Sequence, residues 1–211
     1  MRDEAFAEMT DRQLLEAYAG SNDFKAFAAF VDRHESSLLS FASAFLRDDT
    51  LAQDVVQEAF LRAARYPQRL LVGSASLSAG TEAGATRNWM LKVVRDLSID
   101  NLRRKANEKR AVQERAAISA HAAPAADAIA EGAEEASRVR AAIERLNPRL
   151  RELLILKVRE HKSYKEIAQI TGLSATNVGF LLHRAMQELG KELQGSGFGV
   201  QGAGRRSEPR P

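Results

Sequence analysis

The 211 residues include no cysteine, which rules out disulfides and thiolate metal sites. Four histidines, His34, His121, His161 and His183, are scattered without ligand spacing, so no metal site is expected. No apolar run approaches the roughly 18 residues needed to span a bilayer. The opening MRDEAFAEMTDRQ is acidic and mixed, unlike the basic-then-apolar order of a cleaved signal. A glycine-rich phosphate loop, a metal cluster and a nucleophile motif are all missing. Scattered Asp and Glu on amphipathic helices are surface groups by default. These absences argue against an enzyme, a cofactor carrier and a membrane protein. The expectation is a cytoplasmic protein with no cofactor and no metal.

What is present is helical pattern and uneven charge. Hydrophobic residues make up 45% and charged residues 28%, close to a globular average. The net charge is only +3, but Arg87–Arg110 carries eight Lys/Arg against three Asp/Glu. Residues 111–145 reverse this at four against six, and residues 146–193 return to eight against five. Two basic blocks around a mildly acidic spacer suit two contacts with a polyanion, although charged helix faces are commonly just solvated.

Nearly every periodic segment reads as helix. Thr10 to Gln13 is a capping-box pattern opening a helix through Tyr18. Phe24, Phe27, Ala28, Val31, Leu38, Phe41 and Phe45 recur at helical spacing to about Leu46. Asp48-Asp49-Thr50 breaks that helix and caps the next, from Leu51 to about Arg65, ahead of Pro67. Residues 72–86, rich in Gly, Ser and Ala, read as a loop. A long helix follows from about Thr86 to Lys109, with Trp89, Val93, Val94, Leu97 and Leu102 on its apolar side. The alanine-rich stretch 111–137 has no large-apolar stripe to bury and reads as a linker. The tail 194–211, with five glycines and two prolines, is expected to be disordered. The fold class is therefore all-α: two small helical domains, 10–110 and 138–193, joined by a flexible linker.

The second domain carries the clearest motif. Ser163-Tyr-Lys-Glu166 is a capping box. Small Ala168, then Gly172, then Val178 is the spacing of a helix-turn-helix: Ala168 permits close approach, Gly172 turns the chain, and Val178 fills the space between the helices. Ser174 caps a second helix running to about Leu193. Such a helix enters the major groove N-terminus first, so Ala175, Thr176, Asn177, Phe180, His183 and Arg184 are candidate DNA contacts. Leu181, Leu182 and Ala185 are assigned to the core. A plain helical hairpin with solvated polar residues is the alternative.

Residues 146–189, LNPRLRELLILKVREHKSYKEIAQITGLSATNVGFLLHRAMQEL, resemble region four of the extracytoplasmic-function sigma factors of bacterial RNA polymerase. Asp54-Val-Val-Gln-Glu58-Ala-Phe60-Leu-Arg62, Trp89, Arg95-Asp-Leu-Ser-Ile-Asp100 and Arg103-Arg104 resemble region two. The resemblance implies a non-enzymatic transcription initiation factor whose partners are core RNA polymerase and promoter DNA, with an anti-sigma protein as a further candidate partner. It implies that Asp54, Gln57, Glu58 and Leu61 grip the polymerase. Asp54, Glu58 and Leu61 fall at i, i+4 and i+7, on one helix face. It further implies that Arg87, Asn88, Lys92, Arg95, Asp96, Asp100, Arg103 and Arg104 handle the minus-10 element. There a base is extruded at a cost of a few kcal/mol, and basic groups beside aromatics suit single strands. Trp89 is read as a core residue rather than a stacking platform. Tyr164, Lys165, Ser174 and the outer face of the following helix are assigned to the minus-35 element.

Three departures from the family pattern stand out. The segment between Arg65 and Trp89 is longer than usual by about ten residues. Asp96 occupies a position where relatives carry asparagine. Gly179-Phe180-Leu181 replaces a basic or hydroxyl residue and places glycine inside a helix, at about 1 kcal/mol. A linker of about 30 residues has an r.m.s. span near 30 Å and an extended limit near 100 Å. Two promoter elements about 60 Å apart, at 3.4 Å per base pair, lie within it. The rival readings are a stand-alone helix-turn-helix regulator and a sigma-like adaptor that sequesters an anti-sigma protein.

Overall fold

The computed structural model describes residues 6–76, 82–116 and 134–195. Among them every regular element is helical. The first unit comprises α1 (Asp11–Ser21), α2 (Phe24–Leu46), α3 (Asp49–Arg65), α4 (Pro67–Ser76) and α5 (Glu82–Ala116). The second comprises α6 (Glu134–Arg145), α7 (Pro148–Leu154) with a π-helical turn at Ile155–Arg159, α8 (Tyr164–Thr171) and α9 (Ala175–Gly195).

Local chemistry sets these boundaries. At the start of α1, Thr10 Oγ1 accepts from the Gln13 backbone N–H, and Gln13 Oε1 accepts from that of Thr10, so two otherwise unpaired donors are satisfied. Asp23 accepts from Lys25 and Ala26 at the head of α2, and Asp48 from Leu51 at the head of α3. The chain leaves α1 and α2 through left-handed Asn22 (φ 56°) and Arg47 (φ 57°). Pro67 opens α4 at the position where its missing N–H costs nothing.

The first core is aromatic. Phe30, Phe41 and Phe45 of α2 are fully or almost fully buried with Leu14, Leu15, Leu70, Met90 and Leu91. Phe60 meets Phe30 edge-on at 6.3 Å. Asp11 ties α1 to α2 by accepting from Arg33 and pairing with His34, both at 2.8 Å. Burial alone would raise the Asp11 carboxyl, but the bonds and charges of His34 and Arg33 outweigh it and hold the group below its ordinary range.

Trp89 belongs to this core, partly buried. Its indole lies so close to α4 that a Cβ on Gly73 would stand 2.2 Å from Nε1. This contact explains one difference from the sequence reading. Residues 72–86 do not form one loop: 72–76 continue α4 and 82–86 begin α5. Pro67 fixes the start of α4, and the Trp89 contact gives Gly73 a packed place in it. Residues 77–81 lie outside the described residues. Helix α5 also runs past Lys109 to Ala116, and α6 begins at Glu134, so alanine's helix preference prevails at both ends of the stretch read as linker. Residues 117–133 of that linker and 196–211 of the tail lie outside the described residues.

The second unit has a purely aliphatic core of Leu146, Leu150, Leu153, Leu154, Leu156, Ile167, Ile170, Val178 and Leu182. Buried Arg151 organises it. Its guanidinium donates to the carbonyl oxygens of Ile143 (3.2 Å), Glu144 (2.6 Å) and Leu146 (2.9 Å) at the end of α6, and to Phe45 (3.4 Å) near the end of α2. A cation there also complements the negative ends of both helices. The two units pack together: α2 touches α7 and the π-helical turn, and α5 touches α8.

Candidate nucleic-acid and protein interfaces

The helix-turn-helix is formed as its residues require. Ser163 Oγ accepts from Glu166 N while Glu166 Oε2 accepts from Ser163 N (2.9 Å). Gly172 turns the chain at φ 73°, where a side chain would be strained. Val178 is fully buried between the helices, and Ser174 Oγ caps α9 by accepting from Asn177 N (3.2 Å). At about 100° per residue, Val178, Leu182 and Ala185 share the core face, and all three are buried. Thr176 and Phe180 project the opposite way. Ala175, Thr176, Asn177, His183 and Arg184 are exposed, and Phe180 is 67% exposed.

The leading end of α9, Ala175 to Leu182, has no charged side chain. The cation behind it, Arg184, is paired with Glu188 at 2.8 Å, and His183 with Gln187 at 3.1 Å. The face therefore offers an amide, a hydroxyl, methyl groups and an aromatic ring. Asn177 suits adenine, and Thr176 and Phe180 suit a thymine methyl. Gly179 has a structural account: a Cβ there would touch the Tyr164 ring at 3.4 Å. Tyr164 is half exposed beneath the Lys157 ammonium, which lies 5.2 Å from its centroid, and Lys165 is exposed.

On α3, Asp54, Gln57 and Leu61 are exposed, Leu61 by 51%. Glu58 pairs with Arg62 at 2.7 Å on the same surface. Beside them an open groove of about 430 Å³ runs between α2 and α3, with Phe27, Val31, Leu39, Val56 and Phe60 on its walls and Gln53 and Gln57 at its edge. An apolar groove next to an exposed leucine and carboxylates is the anatomy of a protein contact, apolar at the centre and polar at the rim.

The basic face of α5 is divided. Arg103 and Arg104 are exposed, with Asp100 and Asn101 as local partners. Lys92 lies 3.5 Å from Asp96, which also accepts from Arg95 at 2.8 Å. Asp96 therefore sits between two cations. Arg87, Asn88 and Arg95 are not free. Arg87 donates to Ser37 and to Glu160 of the π-turn connection, both at 2.6 Å. Asn88 donates to Glu166 of α8 (3.2 Å), and Arg95 bonds Glu152 of α7.

Sequence reasoning named none of the acceptors Glu152, Glu160 and Glu166 as functional. Burial raises the Glu152 carboxyl even against the opposing pull of Arg95. Lys162, buried beside them, is lowered by desolvation despite Glu166. Glu166 is held at about 2: burial opposes this, but the Ser163 bonds, Asn88 and Lys162 prevail. A signal was available, since Arg151-Glu152 interrupts an otherwise apolar run between Leu150 and Leu156.

Among the described residues no cluster of His, Asp or Glu could hold a metal ion, and no helix is long and apolar enough to cross a membrane.

Comparison with known proteins agrees with this anatomy. Residues 30–79 match the family model for sigma-70 region 2, and residues 136–189 that for sigma-70 region 4. The chain is 31% identical over 191 residues to a probable RNA polymerase sigma factor, RfaY, of Xanthomonas campestris pv. campestris. That alignment covers 88% of this chain but 44% of the relative, so the chain spans less than half of its length. In fold it resembles CnrH in complex with the cytosolic domain of CnrY (TM-score 0.57, 24% identity, 88% of this chain and 97% of that one). It also resembles the sigma factor RpoE of Bartonella quintana in complex with the anti-sigma factor NepR (TM-score 0.59, 20% identity, 81% and 98%). The chain thus carries, in this order, a segment that matches sigma-70 region 2 and a segment that matches sigma-70 region 4, and it is similar along most of its length to a sigma factor.

Proposed function

We propose that the chain is a promoter-specificity subunit of bacterial RNA polymerase, acting in the cytoplasm by binding and not by catalysis. In this reading α3 docks on core polymerase through Asp54, Gln57, Glu58, Leu61 and the adjoining groove. The α5 face from Arg87 to Arg104, including Asn88, Lys92, Arg95, Asp96, Asp100 and Arg103, captures the melted minus-10 strand. Helix α9 reads the minus-35 duplex through Ala175, Thr176, Asn177, Phe180, His183 and Arg184, positioned by Tyr164, Lys165 and Ser174. The observation that carries the reading is the apolar groove beside half-exposed Leu61, in the same chain as a helix-turn-helix. A stand-alone DNA-binding regulator needs the second and has no use for the first. Because RpoE is seen with the anti-sigma factor NepR, an anti-sigma protein is a further partner of this reading.

The test combines the purified chain with sigma-free core polymerase and genomic fragments, followed by sequencing of run-off transcripts. Defined start sites sharing two upstream elements, and lost in Leu61→Glu, are the expected result. Core-independent duplex binding without transcripts would instead identify a stand-alone regulator.

A further inference from the structure

The second unit covers part of the α5 face while leaving its own DNA-reading helix bare. Arg87, Asn88 and Arg95 each meet one side chain of that unit: Glu160, Glu166 and Glu152 respectively. Both the Glu152 and Glu160 side chains are only 4% exposed. On the far side of α9, Thr176, Asn177 and Phe180 remain in solvent. Carboxylates and phosphates compete for the same donors, since an arginine that donates to one in a charge-assisted pair cannot offer the same geometry to the other.

We propose that region four is an intramolecular competitor for the promoter-melting face: in the free chain Glu152, Glu160 and Glu166 stand where strand phosphates or bases would otherwise bind Arg95, Arg87 and Asn88. The inference rests on the proposed initiation role for its biological meaning, and its chemistry can be tested separately.

The contact has the character of a catch that opens. A buried ion pair gains Coulomb energy but gives up hydration, so its net contribution is small and it mainly selects one arrangement. Opening the seam returns both partners to water and therefore strands no buried charge. Within the seam Arg87 Nε and Asn88 Oδ1 find no hydrogen-bond partner from the protein, a cost that opening removes. Outside the three pairs, Arg159 donates to Ser40 at 2.6 Å and Arg47 to the Glu144 carbonyl at 2.9 Å, so the seam is held on the α2 side as well. Opening needs chain length, and the 17 residues from 117 to 133 reach at most about 60 Å when extended.

The absence of cysteine makes the test clean. Cysteines placed at exposed Asp32 on α2 and Met186 on α9 carry a dye pair that reports the separation of the units in the full chain. A fluorescein-labelled pool of randomised single-stranded DNA reports on the α5 face. The variant Glu160→Gln/Glu166→Gln keeps side-chain shape and keeps the α8 capping box, which accepts Gln as well as Glu. It is expected to lower energy transfer and tighten single-strand binding about tenfold, which corresponds to a free chain that is open about one-tenth of the time. Arg159→Ala opens the seam by a second route and is expected to move both signals the same way, by less.

Energy transfer that falls without any gain in DNA binding refutes the competition. So does a wild-type chain whose units are already apart, or variants that bind no single-stranded DNA at all. Adding core polymerase separates this inference from the functional reading. Failure to bind core or to initiate sinks the initiation role, whereas the two fluorescence signals judge the catch on their own.

Discussion

The two regions solve the burial problem differently. Region two encloses Phe30, Phe41, Phe45 and Phe60 among aliphatic residues, and its buried ions pair internally, as Asp11 does with His34. Region four buries no aromatic residue among those described, and its buried carboxylates Glu152 and Glu160 find their cations on region two. A small aliphatic core is marginal alone, because little surface is removed from water. Region four is thus the unit that depends more on the contact, and region two the platform it rests on.

The largest expected effect comes from breaking a buried residue that serves both sides. Arg151→Met keeps volume but removes the donor to three carbonyls of region four and to Phe45 of region two. Buried acceptors left unpaired cost roughly 1–3 kcal/mol each, and partial rehydration brings the expected loss to about 3 kcal/mol. Urea denaturation should show region four unfolding ahead of region two. A loss shared equally by both regions would show that they form one cooperative unit and that the contrast between them is wrong.

A second, smaller change probes the platform. Gly73→Ala puts a Cβ 2.2 Å from the Trp89 ring. Overpacking of this kind costs about 1–3 kcal/mol. Trp89 is the chain's single tryptophan, so its fluorescence reads the displacement directly. The expected result is a shifted emission maximum with region four's melting unchanged; an unmoved spectrum would mean that α4 does not press on the indole.

These two residues also show what was legible in advance. Caps and turns were readable because they are local: Thr10 with Gln13, Ser163 with Glu166, and Gly172 each form as their spacing dictates. The helix-turn-helix followed, since Ala168, Gly172 and Val178 act within a few turns of one another. The packing of Trp89 in the core was foreseen, but not its partner. Gly73 looked like a loop residue, and only the tertiary contact explains its place in a helix. Arg151 and the three carboxylates were missed for the same reason. Their partners lie 57 to 106 residues away for Arg95–Glu152 and Arg151–Phe45, and helical periodicity carries no information at that range. The assignment of Arg87, Asn88 and Arg95 to DNA came from resemblance, which could not reveal that they are engaged within the chain.

The smallest expected effect is a pH dependence of opposite sign at two carboxyls of the seam. Glu166 is held at about 2 against an ordinary 4.5, so its contribution is complete above about 4.5 and is lost as pH falls toward 2. Glu152 is raised by burial, so its ionised form opposes folding at neutral pH, and that opposition is relieved as pH falls through its raised value. Glu166→Gln should therefore melt below the wild type at neutral pH, with the gap closing on acidification toward pH 2. Glu152→Gln should show the reverse trend: whatever advantage it gains from losing the buried charge shrinks as the wild-type carboxyl protonates. Thermal melts of both variants across pH 2 to 7 check this pair of slopes. Parallel curves would mean that neither carboxyl is perturbed by its neighbours, and the electrostatic account of the seam would then fail while the aliphatic and carbonyl contacts of Arg151 remained.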